Sequence, residues 1–436
     1  MMAQWYRTRY DFVIIIFQWK DNDEKPTIQH DILSRLNAHA ILQIGLLTLP
    51  RRVDVCWLYG IGLDVCLETA LTSVTFRPNT YLNMPLTFEL APGRKIGGDH
   101  PCFIIAEIGQ NHQGDIKIAK QLIKVAKDAG ADCAKFQKSE LDFKFNKAAL
   151  AKPYTSKHSW GKTYGEHKRF LEFSHEQYRE LKAYAEEIGI FFTASGMDEA
   201  AQEFLNELDV PFFKIGSGDT NNLTFLAKSA KMGRPMIISS GMQTLDTMKK
   251  VYNTVKPINE NFCFLQCTSA YPLAPEDVHL RIMDVYRKEF PDIPVGYSGH
   301  ESGMTITLAA VAMGAKVVER HITMDKTWKG NDHEASLEPD ELTELIKQIR
   351  IVERAFGSHV KEMRECERPT FNKLGKSIVA AKAIPAGTLI SQEHLGVKVA
   401  IPKGHPPENM SDLLGKRTKR AIEYDDSINL DDVVDE

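Results

Sequence analysis

Between residues 102 and 356, short apolar runs alternate with amphipathic stretches. The runs cover 102–109, 133–137, 190–195, 212–218, 235–241, 262–269, 294–300 and 316–323. Most are rich in Ile, Val and Phe, and each has the length of a strand buried on both faces, as in a parallel sheet. The stretches between them predict helices. Ile116, Ala119, Leu122, Ile123 and Ala126 recur at helical spacing, and Gly130 follows as a stop. Ser174-His175-Glu176-Gln177 has the form of a capping box opening the helix that ends before Gly189. Leu342, Leu345, Ile346, Ile349 and Val352 share one face of the stretch 339–356. Eight strand–helix repeats in about 250 residues predict an α/β fold, a closed (β/α)8 TIM barrel. An open doubly wound sheet would carry a glycine-rich phosphate turn after its first strand. Gly109-Gln110-Asn111-His112-Gln113-Gly114 has the wrong spacing for one.

The pattern changes on both sides of this region. Residues 357–373 read as a linker and 374–436 as a small, mostly β domain, with strands expected over 377–381, 384–389 and 397–401 and breaks at Pro402, Gly404, Pro406 and Pro407. Some 60 residues are near the lower limit for independent stability, so this domain is expected to lean on the barrel or on a partner subunit. Residues 1–83 show no sustained period and read as a poorly structured extension, with the barrel domain spanning 84–356. The apolar runs 12–17 and 41–49 fall short of the roughly 18 to 20 residues that cross a bilayer, which argues against a membrane protein.

Net charge is −4 over 436 residues, which argues against a dedicated nucleic-acid binder. Seven cysteines form no CxxC pair and no regular framework; they read as buried free thiols in a reducing, cytoplasmic setting.

In a βα barrel the chemistry sits where the strands end. Those ends supply Glu107, then Asn111 and His112; Lys135 and Gln137; Thr193 and Ser195; Lys214 and Ser217; Ser239 and Ser240; Thr268, Ser269 and Tyr271; Ser298 and His300; and His321. Buried strands that all finish in polar groups point to one polar pocket, whose desolvation a purely structural protein has no reason to bear. His300 and His321 close neighbouring strands and are candidate ligands of one divalent metal; the alternative is a pair of hydrogen-bonded core histidines. Lys135 and Lys214, with Ser217, Ser239 and Ser298, are candidates to hold phosphate and carboxylate, or one lysine forms a Schiff base. Glu107 is either an acid/base group or the partner that orients Lys135 or a metal ligand. The segment 144–169 carries six lysines, one arginine and two histidines against one acid, Glu166, and follows the second strand over the pocket mouth. It predicts an anionic, sugar-like substrate.

Six motifs then occur in register: Ala106-Glu107-Ile108-Gly109-Gln110-Asn111-His112, Ala134-Lys135-Phe136-Gln137, Phe213-Lys214-Ile215-Gly216-Ser217-Gly218, Ile238-Ser239-Ser240-Gly241-Met242, Gly296-Tyr297-Ser298-Gly299-His300 and Glu319-Arg320-His321. Together they resemble the sialic acid synthases. The tail from Leu374 resembles the antifreeze-like SAF (β-clip) domain that follows the barrel in that family, and the loop 155–169 is similar to the animal type. The resemblance implies condensation of phosphoenolpyruvate with N-acetylmannosamine 6-phosphate to N-acetylneuraminate 9-phosphate and phosphate. It implies phosphoenolpyruvate on Lys135, Lys214, Ser217, Ser239 and Ser298, with Ser269 and Tyr271 nearby. It further implies Mn²⁺ or Mg²⁺ on His300 and His321, Asp332 against the sugar, and a domain-swapped homodimer. Mannose 6-phosphate or unphosphorylated N-acetylmannosamine are the rival substrates, and a carbohydrate- or ice-binding protein is the rival without catalysis. The arginine that bacterial relatives place on the N-acetyl group has no counterpart in the stretch 397–404.

Overall fold

The computed structural model describes residues 86–435 and, before them, only the backbone of four short strands, Met2–Arg7, Val13–Gln18, Gly45–Thr48 and Asp54–Trp57, paired antiparallel. The rest of the expected extension over 1–83 lies outside the described residues.

Eight parallel strands close into a barrel: β1 (Phe103–Gly109), β2 (Cys133–Lys138), β3 (Phe191–Gly196), β4 (Phe213–Ile215), β5 (Met236–Ser239), β6 (Phe262–Cys267), β7 (Val295–Gly299) and β8 (Val317–His321). Every residue in them is buried except Gln137 and Phe191, which are half-buried. Covered on one face by helices and on the other by the barrel interior, the strands have no solvent face, and their sequences are therefore apolar without alternation. Closure pairs the last strand with the first, setting His321 opposite Glu107, while Glu107 stands opposite Lys135 on β2. A hairpin of Thr87–Ala91 and Arg94–Gly97, which the hydrophobic pattern did not predict, packs Leu90, Ala91 and Ile96 against Phe103, Phe212, Ile237, Leu265 and Val317. Phe103, Phe212, Ile237 and Val317 lie at or near the strand starts, so the hairpin covers the barrel end away from the polar residues.

The helices begin and stop where the sequence signals place them. Ile116–Ala129 starts at Asp115, whose side chain accepts from the Lys117 amide, and ends at Gly130 with φ 90°. His175–Ile188 has both hydrogen bonds of the Ser174/Gln177 capping box and stops at Gly189 with φ 76°. The β2–β3 connection is elaborate. It carries three further short helices, Leu141–Lys144, Lys147–Ala151 and Tyr164–Leu171, before His175.

Residues from Ile351 to the C-terminus form a second compact unit. Ser377–Ala380 pairs with Leu395–Lys398, and Arg417–Thr418 with Val433–Val434. Its core is small: Ile378, Ala380, Ile384, Ile390, Leu395, Leu413, Ile422, Ile428 and Val433. The strand expected over 384–389 is reduced to single bridges from Ile384 to Ile422 and from Leu389 to Arg417, because Pro385 cannot donate to a ladder and Gly387 takes φ 76°. The strand expected over 397–401 stops at Lys398, and Ile401 is fully out in solvent at 94% exposure. A helix, Arg368–Leu374, occupies the end of the expected linker. Cys366 is exposed rather than buried.

Candidate active site

The C-terminal ends of the strands surround a cavity of about 800 Å³. Glu107, Lys135, Lys214, Ser217, Ser239, Ser269, Tyr271, Ser298, His300 and His321 all line it. Asp332 does not. It is half-buried in the loop after β8, near enough for its charge to act on His321 and Tyr271. Three of the strand-end residues turn elsewhere. The hydroxyls of Thr193, Ser240 and Thr268 donate to the carbonyls of Phe212, Leu265 and Asp277. Asn111 Nδ2 donates to the Ile322 carbonyl and to Ser336 Oγ, both at 2.9 Å, and His112 stacks on Phe173 at 4.1 Å. These two tie down the loop after β1 and do not face the cavity.

At the cavity floor four charges meet. Lys135 Nζ lies 2.5 Å from Glu107 Oε2 and 3.6 Å from Glu319 Oε2, and donates to Ser195 Oγ at 3.1 Å. Lys214 Nζ lies 3.5 Å from Glu319 Oε1 and donates to Ser239 Oγ at 2.7 Å. Ser298 Oγ donates to Glu319 Oε1 at 3.0 Å, and Gln137 Nε2 to Glu107 Oε1 at 2.9 Å. Glu319 is the member that a reading of strand ends overlooks. It stands two residues before His321 on β8, so both side chains point into the barrel while Arg320 points out, to Glu301 at 3.0 Å. That alternation was the available signal.

The environment separates the two carboxyls. Burial pushes Glu319 up, but Lys135, Lys214 and His321 outweigh it and hold it at about 2. Burial also pushes Glu107 up, and there it prevails over the attraction of Lys135, with the Glu319 charge adding to the rise. Glu319 is thus held as an anion, whereas burial favours the protonated form of Glu107. For Lys135, burial is outweighed by its two carboxylate neighbours and the pKa is raised; for Lys214, burial wins and the pKa is lowered.

The two histidines lie with ring centroids 5.5 Å apart. His300 Nδ1 is 2.8 Å from the Thr268 carbonyl, a contact only an N–H satisfies; burial opposes a charge on this ring, but the neighbouring Cys267 outweighs it and the pKa is raised, so it is the neutral form of His300 that offers its other nitrogen as a ligand. His321 is held near 4 by burial, so its ring is neutral at pH 7, and its Nδ1 is buried without a hydrogen-bond partner. Both fit ligation of a divalent cation. Among the described residues no cluster of three or more His, Cys, Asp and Glu converges on one point, so such an ion would complete its coordination with water and substrate. Cys267, expected to be a purely structural thiol, also lines the cavity, and its sulfur accepts from Ser217 Oγ at 3.6 Å.

The loop after β2 is tied to the loop after β8. The Gly330 amide donates to His158 Nδ1 at 3.1 Å, Asn331 Nδ2 donates to the Tyr154 hydroxyl, and Lys329 lies 4.3 Å over the Trp160 ring.

Comparison with known proteins agrees with this architecture. The N-acetylneuraminate-9-phosphate synthase of Homo sapiens is 67% identical over 352 residues, 81% of this chain and 98% of the human protein. That of Mus musculus is 68% identical over 345 residues, 79% of this chain and 96% of its own length. The crystal structure of N-acetylneuraminic acid (sialic acid) synthetase from Leptospira borgpetersenii serovar Hardjo-bovis, in complex with citrate, superposes with a TM-score of 0.58 at 30% identity, covering 66% of this chain and 95% of that one. Residues 122–361 match the NeuB family and residues 375–434 the SAF domain. The chain belongs to the NeuB family, its barrel followed by a SAF domain.

Proposed function

We propose that this chain is an N-acetylneuraminate-9-phosphate synthase. It condenses phosphoenolpyruvate with N-acetylmannosamine 6-phosphate and releases phosphate, a step of sialic acid biosynthesis. The observation that carries the reading is the buried Lys135–Glu107–Glu319–Lys214 cluster under a cavity rimmed by serines and two histidines. The two lysines suit the carboxylate and phosphate of phosphoenolpyruvate, and Ser217, Ser239, Ser269 and Ser298 supply short hydrogen bonds. His300 and His321 would hold Mn²⁺ or Mg²⁺, and such an ion supplies Lewis-acid polarisation of the sugar aldehyde. Tyr271, its ring 4.0 Å from that of His300, and Asp332 orient the sugar beside them.

The chemistry joins carbon 3 of phosphoenolpyruvate to the aldehyde carbon, whose oxygen takes a proton. Water adds at carbon 2, and the C–O bond to phosphate breaks, leaving the keto acid. Glu107, with its raised pKa and its contacts to Lys135 and Gln137, holds or passes the proton in these steps.

We read the working form as a homodimer in the cytoplasm, each small domain serving the partner's barrel. The small core of the C-terminal unit and the free thiols of the described cysteines support this. Among the described residues no helix is long and apolar enough to cross a membrane. The test supplies phosphoenolpyruvate and Mn²⁺ with N-acetylmannosamine 6-phosphate, N-acetylmannosamine or mannose 6-phosphate, and follows phosphate release and product mass. Preferred turnover of the phosphorylated amino sugar is expected; no phosphate release with any sugar would overturn the reading.

A further inference from the structure

The basic segment after β2 resolves into two kinds of lysine. Lys147, Lys152, Lys157 and Lys162 are exposed, whereas Lys144 and Lys168 are drawn inward. Lys144 lines the cavity, with contacts to Ser139 Oγ at 3.4 Å and Met197 Sδ at 2.7 Å. Lys168 Nζ donates to Gln110 Oε1 at 2.8 Å and lies over the Tyr164 ring. Among the described residues neither ammonium meets a carboxylate within 4.0 Å. The other inward lysines around the cavity do: Lys135 and Lys214 pair with Glu319, and Lys138 with Glu140 and Glu172. The segment's own acid, Glu166, is committed to a capping box with Thr163.

Withdrawing an ammonium from water without an anion is costly, and lysines are rarely found so unless a partner is supplied. Here the cost shows as a displaced protonation equilibrium. Burial brings Lys144 down to about 8, with the charge of Lys168 adding to the effect, and burial likewise lowers Lys168. Asp219, Glu172 and Asp198 around Lys144, and Asp332 and Glu172 around Lys168, offset this only from a distance. Lys144 opens into the cavity, and Lys168, held by Gln110 just outside its lining, is near enough for its charge to act on Lys144, so that two neighbouring cations lack counter-ions. Lys144 shares its side of the cavity with Met197 and Asp198, which follow β3, and with Asp219, which follows β4. In an eight-stranded ring that is the rim opposite His300 on β7 and His321 on β8. A substrate whose aldehyde is held at the histidines would extend its far end toward this rim.

We propose that Lys144 and Lys168 receive the 6-phosphate of the sugar, so that the loop after β2 selects the phosphorylated over the unphosphorylated amino sugar. This rests on the reaction proposed above. Full-length Lys144→Met, Lys168→Met and the double variant would be assayed with both sugars at saturating phosphoenolpyruvate and Mn²⁺. The preference for N-acetylmannosamine 6-phosphate over N-acetylmannosamine, as a ratio of kcat/KM, should fall about 10- to 100-fold per lysine, the scale of one charge-assisted hydrogen bond. Lys144→Arg, which keeps the charge, should retain most of the preference and guards against loss through misfolding. An unchanged ratio, or equal losses with both sugars, would overturn the proposal. Wild-type protein that turns over neither sugar would instead refute the underlying reaction.

Discussion

Replacing Lys135 with Met tests the charge cluster most directly. Lys135 and Glu107 are each about 2% exposed and lie 2.5 Å apart, with Glu319 at 3.6 Å on the other side of the lysine. Lys135→Met strands two carboxylates in a closed space. Removing one partner of a buried pair costs about 3 to 5 kcal/mol, which for a barrel of this size is a fall in Tm of about 6 to 20 °C. The loss should depend on pH, and its sign follows from Glu107. Its folded pKa already lies above the ordinary 4.5, and without Lys135 it rises further. A carboxyl whose pKa is raised on folding costs nothing while both states are protonated, and destabilises as pH climbs from the unfolded toward the folded value. The deficit should therefore be smaller near pH 5 than near pH 8, the part left at pH 5 coming from the loss of Lys135 beside the ionised Glu319. The assay is thermal unfolding followed by circular dichroism at both pH values, scoring the barrel transition separately from that of the C-terminal unit. Adding Glu107→Gln to Lys135→Met removes one of the two stranded charges and should recover at least half of the loss at pH 8. Equal deficits at pH 5 and pH 8, or no recovery in the double variant, would refute the reasoning.

Three further outcomes follow from the same structure. His300→Ala or His321→Ala should abolish phosphate release while leaving the circular dichroism spectrum unchanged; full activity in a metal-stripped double alanine variant would remove the metal from the mechanism. Gly241→Ala would bring a methyl group to 2.2 Å from Ser269 Oγ and 2.7 Å from Ser217 Oγ, so kcat/KM for phosphoenolpyruvate should fall at least about tenfold as both hydroxyls move, the effect of roughly one displaced hydrogen bond to an anion. In the C-terminal unit, Gly404→Ala would meet the Ile378 carbonyl at 2.5 Å and that of Ile428 at 3.0 Å, and should lower the stability of that unit by about 1 to 3 kcal/mol, read from its own unfolding transition.

The barrel was legible because a strand covered on both faces needs an apolar residue at nearly every position, and the break to polarity at its end marks the site. The same habit of reading ends misjudged individual side chains. Successive strand residues face opposite ways, so Ser239 reaches the cavity while Ser240 bonds to the Leu265 carbonyl. Glu319 was missed for the complementary reason: it lies inside a strand, two positions short of the end, where a charge is tolerable only because two lysines from other strands wait for it. No local pattern states that. The hairpin over Thr87–Gly97 escaped notice because its buried residues, Leu90, Ala91 and Ile96, are few and meet partners far along the chain. In the C-terminal unit, Pro385 and Gly387 interrupt what the hydrophobic run alone would make a strand.

The position of Glu319 on the last strand also bears on how the chain is made. During synthesis the N-terminal strands emerge first, and β1 to β7 can associate before β8 exists. Until then Lys214 has no carboxylate within ion-pair distance and Lys135 has only Glu107. A seven-stranded nascent sheet therefore keeps an ammonium group that resists being sealed from water. Docking of β8 supplies the missing anion in the same movement that joins His321 to Glu107 across the closing seam. The residue that balances charge in the finished enzyme thus favours completion of the ring over collapse of its unfinished precursor.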